Sequence, residues 1–135
     1  MENWRVRLFG GLSLEHNGQT ALMMGTRKDD LVLAYLALAP ATTHVRTTVV
    51  AALWPHAESA KARKILSFNQ FSLKGRLEAV GLRGALVETR TTLRLAPHIS
   101  TDVQEFTELV QRASSLQPVL AHAREDHAAG ALAVA

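Results

Sequence analysis

The chain has 135 residues, enough for one domain and a short appendage, and at 47% apolar and 20% charged residues it fits a folded protein rather than a disordered polyelectrolyte. It has no cysteine, which excludes disulfides, thiol catalysis and cysteine-held zinc. Net charge is only +3 but unevenly placed: residues 1–100 carry 13 Lys/Arg against 7 Asp/Glu, and residues 101–135 carry 2 against 5.

The amino end, "MENWRVRLFG", lacks the apolar core of a signal peptide, and no run approaches a membrane span. A soluble cytoplasmic protein is expected. "WRVRLFGGLSLEHNGQTALMM" alternates apolar and polar residues, with Val6, Leu8, Leu12 and Leu14 as candidate inward positions. Gly10-Gly11 should bend the chain between strands, and Asn17-Gly18 is a two-residue hairpin signal. A small antiparallel sheet is predicted.

"TRKDDLVLAYLALAP" predicts a first helix, with Thr26 as N-cap and Asp29 and Asp30 in its first turn. Leu31, Tyr35 and Leu38 recur at the spacing of one face, widened by Leu33 and Leu36. A second, shorter helix runs from Thr47 to Trp54 and is stopped by Pro55. The third helix, with Ser59 as its expected cap, runs towards Gly81, which suits a left-handed C-terminal position.

This third helix contains "ARKILSFNQFSLKGRL". Residues 61–76 hold Lys61, Arg63, Lys64, Lys74 and Arg76 and no acid, a basic stripe that suits a polyanion partner or a solvated face. At 100° per residue, Ala62, Leu73, Leu77 and Val80 fall within about 40° of Leu66 and define a buried stripe. Phe68 and Phe71 fall on the opposite side with Lys64, and Ser67 and Lys74 fall between. Three readings of the two phenylalanines stand open. They press on bases in a major groove, they hold a protein partner, or the helix bends near Gly75 and they are core.

"ALVETRTTLRLAP" predicts a β-hairpin with its tip at Thr89, Arg90 and Thr91. Arg90 there is either solvated or a phosphate or minor-groove contact. Thr101-Asp102 caps a further helix with Phe106, Leu109, Val110 and Ala113 on one stripe, and "REDHAAGALAVA" starts another. Trp4 and Trp54 are expected as core anchors. His122 and His127, five apart, miss the spacing of a helical metal pair, and no phosphate loop or nucleophile triad stands out. No metal, cofactor or catalytic residue is assigned, and an enzyme is not expected.

Sheet, three helices and hairpin in that order are the plan of an α+β winged helix-turn-helix. The pieces "VRLFGGLSLEHNG", "RKDDLVLAYLALAP", "VVAALWPHAESAKAR" and "LRLAPHISTDVQEF" together resemble the amino-terminal, OmpR-type winged-helix domain of the Streptomyces antibiotic regulatory protein family, over roughly residues 4–106. In this chain Asn69 and Gln70 stand where the family usually has apolar residues, and Ser67, Ser72 and Gly75 where it is commonly basic.

The resemblance implies a non-enzymatic, cofactor-free bacterial transcriptional regulator, an activator, whose third helix enters the major groove of double-stranded DNA and whose wing lies on the backbone or minor groove. Residues carried to that role are Arg63, Lys64, Ser67, Phe68, Phe71, Ser72 and Lys74 on the helix and Arg90 and Thr91 on the wing. The resemblance further implies a second protomer on repeated sites and RNA polymerase as partners. It divides the chain into a DNA-binding domain at 1–100 and, at 101–135, the start of a TPR-like activation domain. The rival reading is a winged-helix interaction module that uses Phe68 and Phe71 to hold a protein without reading bases.

Overall fold

The computed structural model describes residues 3–115. The chain opens with strands β1 (Trp4–Arg7), β2 (Ser13–His16) and β3 (Gln19–Met23), antiparallel neighbours in sequence order. Asn17 and Gly18 both have left-handed φ, 52° and 83°, so the turn between β2 and β3 follows the twist of its strands. The pleat sends Trp4, Val6 and Leu14 into the core. Leu8 and Leu12 are only partly buried.

The antiparallel sheet expected at the start of the chain gains one further strand from beyond the hairpin. A fourth strand, β7 (Ser100–Thr101), lies parallel to β1, with Arg5 opposite Ser100 and Val6 opposite Thr101. Asp102 fixes the return of the chain here: its buried carboxylate accepts the backbone N–H groups of Leu8 and Phe9 at 2.9–3.0 Å.

Between these strands lie α1 (Lys28–Leu38), α2 (Arg46–Leu53) and α3 (Ser59–Ala79). The strands β5 (Leu86–Glu88) and β6 (Thr92–Leu95) form the hairpin expected at the wing, with 89–91 at its tip. A two-residue strand, β4 (His44–Val45), leads into α2 and pairs with β6, making a second sheet of three strands. The hydroxyl of Thr89 accepts the N–H of Thr92 at 2.9 Å and that of Thr91 at 3.3 Å, which rounds off the tip.

The face of α1 differs from the expected one. Val32, Leu33, Leu36 and Ala37 are buried, whereas Leu31 is 36% and Leu38 60% exposed. The helix is apolar on nearly every side, so spacing alone does not choose its rotation. The choice is made by Asp29 and Asp30, both buried and both ion-paired to Arg76 of α3.

Two caps also shift by one residue. Arg27, not Thr26, is the N-cap of α1, and Asp30 Oδ2 accepts its N–H at 3.2 Å. Glu58, not Ser59, is the N-cap of α3. The far end of α3 closes as expected on Gly81, at φ +99°: Leu82 donates to Leu77 O and Gly81 to Glu78 O, at 2.9 and 3.0 Å.

Ala62, Leu66, Leu73 and Leu77 form the buried stripe of α3, with Val80 partly buried beside them. They meet Val32, Leu33 and Leu36 of α1, Val49 of α2 and Leu93 and Leu95 of β6 in one core. Trp4 belongs to that core, stacked on His16 at 4.0 Å, while Trp54 is only partly buried.

The final helix, α4 (Asp102–Ser115), starts with Thr101 accepting the N–H of Gln104 at 2.9 Å. The chain divides into one compact unit through Gln104 and a second from Glu105. Thr101 and Asp102 belong to the first of these, tied to β1 and the turn after it. Phe106, Leu109 and Val110 of α4 are exposed. The further helix expected in "REDHAAGALAVA", with His122 and His127, lies outside the described residues.

Candidate nucleic-acid interface

Helix α3 has 21 residues, and its surroundings divide it into four sides. The leucine stripe faces the core. One flank faces α1 and carries Arg76 and Ser72. Arg76 Nη1 donates to Asp29 Oδ2 at 3.0 Å and to Asp30 Oδ1 at 2.5 Å, and the Ser72 hydroxyl donates to Asp29 Oδ2 at 3.0 Å. Burial opposes ionisation of Asp29, but the hydrogen bonds from Arg76 and Ser72 and the charges of Arg76 and Arg27 outweigh it and hold the carboxyl below its usual range. Burial likewise opposes the charge on Arg76, and the two aspartates raise its pKa further above the ordinary value. This clamp fixes the rotation of α3 about its axis.

The opposite flank faces the wing. Arg46, the first residue of α2, donates from Nη2 to Ser67 Oγ at 3.1 Å and from Nη1 to Gln70 Oε1. Its backbone N–H donates to Thr91 O at 2.8 Å. A groove of about 190 Å³ between α3 and the wing is lined by Arg46, Ser67, Gln70, Phe71, Lys74 and Glu88.

The fourth side points away from the core. Phe68 is 72% and Phe71 78% exposed, so the reading that buries them by bending the helix at Gly75 falls. Gly75 lies inside an unbroken helix. Lys64 and Phe68 share a groove of about 300 Å³ with Lys28 and Lys61, where the start of α1 approaches α3. Arg63 is exposed and lines a separate hollow of about 400 Å³ with Trp54 and Pro55 at the α2–α3 turn.

The expected contact residues therefore do not all share one surface. Lys64, Ser67, Phe68, Phe71 and Lys74 lie on the outward and wing-facing sides of α3, and Arg90 and Thr91 stand exposed at the wing tip. Ser72 departs from its expected role, since its half-buried hydroxyl is turned onto Asp29. Three basic residues were missed: Lys28, Arg46 and Lys61. Lys61 was visible in the basic run, whereas Arg46 stands alone in its segment and is brought to α3 only by tertiary folding.

The two departures from the family's apolar pattern find local partners. Asn69 Nδ2 donates to Ile65 O at 2.8 Å, and Gln70 receives Arg46. Among the described residues no buried side-chain nitrogen or oxygen lacks a partner, so both polar side chains are accommodated without the usual penalty for a bare buried amide. Among the described residues no cluster of three potential metal ligands occurs, and no helix is long and apolar enough to cross a membrane.

No family model matches the chain, and no curated protein does either. Among solved structures it is similar to Mycobacterium tuberculosis EmbR, solved in complex with a low-affinity phosphopeptide, at 23% identity and a TM-score of 0.58. The match covers 71% of this chain and 26% of that one, so the chain spans about a quarter of the structure it resembles. At that identity the likeness speaks for fold alone: the chain has the mixed α+β architecture of a winged-helix-like domain shared with part of EmbR.

Proposed function

We propose that the first unit is a double-stranded DNA-binding domain of a bacterial transcriptional regulator of the Streptomyces antibiotic regulatory protein type. The observation that carries this is the outward side of α3. Two exposed phenylalanines and Lys64 stand on a helix whose rotation is fixed by the Arg76 clamp, with Lys74 towards the wing. A helix held this rigidly presents base-edge contacts in a defined register, and flanking lysines neutralise phosphates.

In this reading α3 enters the major groove with Ser67, Phe68 and Phe71 towards bases. Arg63, Lys64 and Lys74 meet phosphates, and Arg90 and Thr91 of the wing meet the backbone or minor groove. Residues 101–135 are, in this reading, the start of an activation domain. A second protomer on repeated sites and RNA polymerase are the further partners, and the role is activation.

The test is a band shift of the full chain on random duplex across a salt series. Log affinity should fall by about 0.9 per phosphate contact per log unit of salt. Salt-independent or absent binding would favour the second reading, a protein-interaction module, for which the exposure of Phe68 and Phe71 is the supporting observation.

A further inference from the structure

The major groove of DNA is about 12 Å wide, and an α-helix with its side chains is about 10–12 Å across. A helix lying along the groove therefore brings both edges of its outward side up to phosphates. The two edges meet opposite strands, because each wall of the groove is a different backbone. The wing edge of α3 has Lys74, and Arg90 stands exposed at the wing tip. On the α1 edge the C-terminal half of α3 has no cation to spare, since Arg76 is taken by Asp29 and Asp30. The N-terminal half differs. There Lys28, the first residue of α1, joins Lys61 and Lys64 in a notch of about 300 Å³, lined otherwise by Ile65, Phe68 and Asn69.

No acid lines this notch. All three lysines are exposed, and among the described residues none of them is ion-paired. The acids that follow Lys28 in sequence, Asp29 and Asp30, are buried and already neutralised by Arg27 and Arg76. Three like charges brought together from two helices attract a polyanion. Phe68 borders the notch and also stands on the outward side, so a backbone seated in the notch runs on to the base-facing surface. That continuity favours nucleic acid over an acidic protein.

We propose that Lys28, Lys61 and Lys64 form a phosphate notch that holds the DNA strand opposite the one held by Lys74 and the wing. The proposal rests on the DNA-binding reading above and extends it to α1, which that reading leaves outside the interface. α3 is then gripped from both walls of the groove.

The experiment uses the full chain and a duplex that it selects from a randomised pool. Lys28→Gln and Lys61→Gln remove a charge and keep good helix formers. Each should lower the salt slope on random duplex by about one and weaken binding about five- to tenfold near ~0.1 M salt, with the selected base sequence unchanged. Lys28→Arg, which keeps the charge, should keep the wild-type slope. The strands are assigned by replacing single phosphates with neutral methylphosphonates. Lys28→Gln and Lys61→Gln should lose sensitivity to replacements on one strand, and Lys74→Gln to replacements on the other.

Wild-type slopes and methylphosphonate sensitivity in both Lys28→Gln and Lys61→Gln overturn the proposal. So does loss of sensitivity on the same strand as Lys74→Gln. Unchanged duplex binding together with lost binding of a polyglutamate peptide overturns it in favour of an acidic protein partner. A wild-type chain that binds no duplex overturns the DNA reading as well, an outcome distinct from duplex binding that the notch variants leave intact.

Discussion

The core-facing and outward sides of α3 are built from residues of similar apolarity and meet opposite fates. Leu66, Leu73 and Leu77 are sealed against α1, α2 and the wing strand β6. Phe68 and Phe71, larger and more apolar in area, stand in solvent. Burial here is a property of what packs against a side, not of the residue on it. The outward side is available for recognition because the other three are committed, to the core, to the Asp29–Asp30 clamp and to the Arg46 fork.

The clamp offers the largest effect with which to break this contrast. Arg76→Met removes the cation shared by two adjacent buried carboxylates and leaves Asp29 only the exposed Arg27 at 3.2 Å, and should cost about 3 kcal/mol in denaturant unfolding at neutral pH. The pH dependence has a definite sign. The Asp29 carboxyl lies below its usual range in the folded chain, so its stabilisation is present above about pH 4 and lost as pH falls through the folded value. The gap between wild type and Arg76→Met should therefore narrow as the pH drops from about 7 towards about 3. A gap independent of pH would show that the clamp acts by packing and not by charge.

Leu73→Ala probes the sealed side directly. It should cost about 3 kcal/mol by thermal or denaturant melting, the usual range for a leucine removed from a packed core. The outward side should behave otherwise. Phe68→Ala and Phe71→Ala are each expected within about 1 kcal/mol of wild type, while specific DNA affinity falls more than random-duplex affinity. If either variant melts like Leu73→Ala, the two sides of the helix are not distinct.

The smallest stability effects belong to the lysines. Lys64→Ala and Lys74→Ala should melt within about 0.5 kcal/mol of wild type. Each should lower the salt slope of binding by about one, on all duplexes alike. Slopes unchanged in both would remove the phosphate role from this side of α3.

Local sequence was enough for whatever depends on neighbours along the chain. Asn17-Gly18 set its turn because both residues accept left-handed φ, Gly81 ended α3 for the same reason, and the leucines of α3 marked its buried side because polar residues separate them from the rest of the helix. The hairpin tip at 89–91 was legible from its polar centre between strand residues. Tertiary structure alone decided the rest. α1 is apolar almost all round, so its rotation came from Arg76, 46 or more residues away. Ser72 turns towards α1 because an aspartate of that helix lies within reach of its hydroxyl, and β7 joined β1 because Asp102 caps N–H groups over 90 residues earlier. Arg46 gives no local sign of its place beside the wing and α3. Side-chain periodicity records which residues share a side of one element, whereas the partner of a buried charge or amide depends on which distant element folding brings within about 3 Å, and no local pattern encodes that distance.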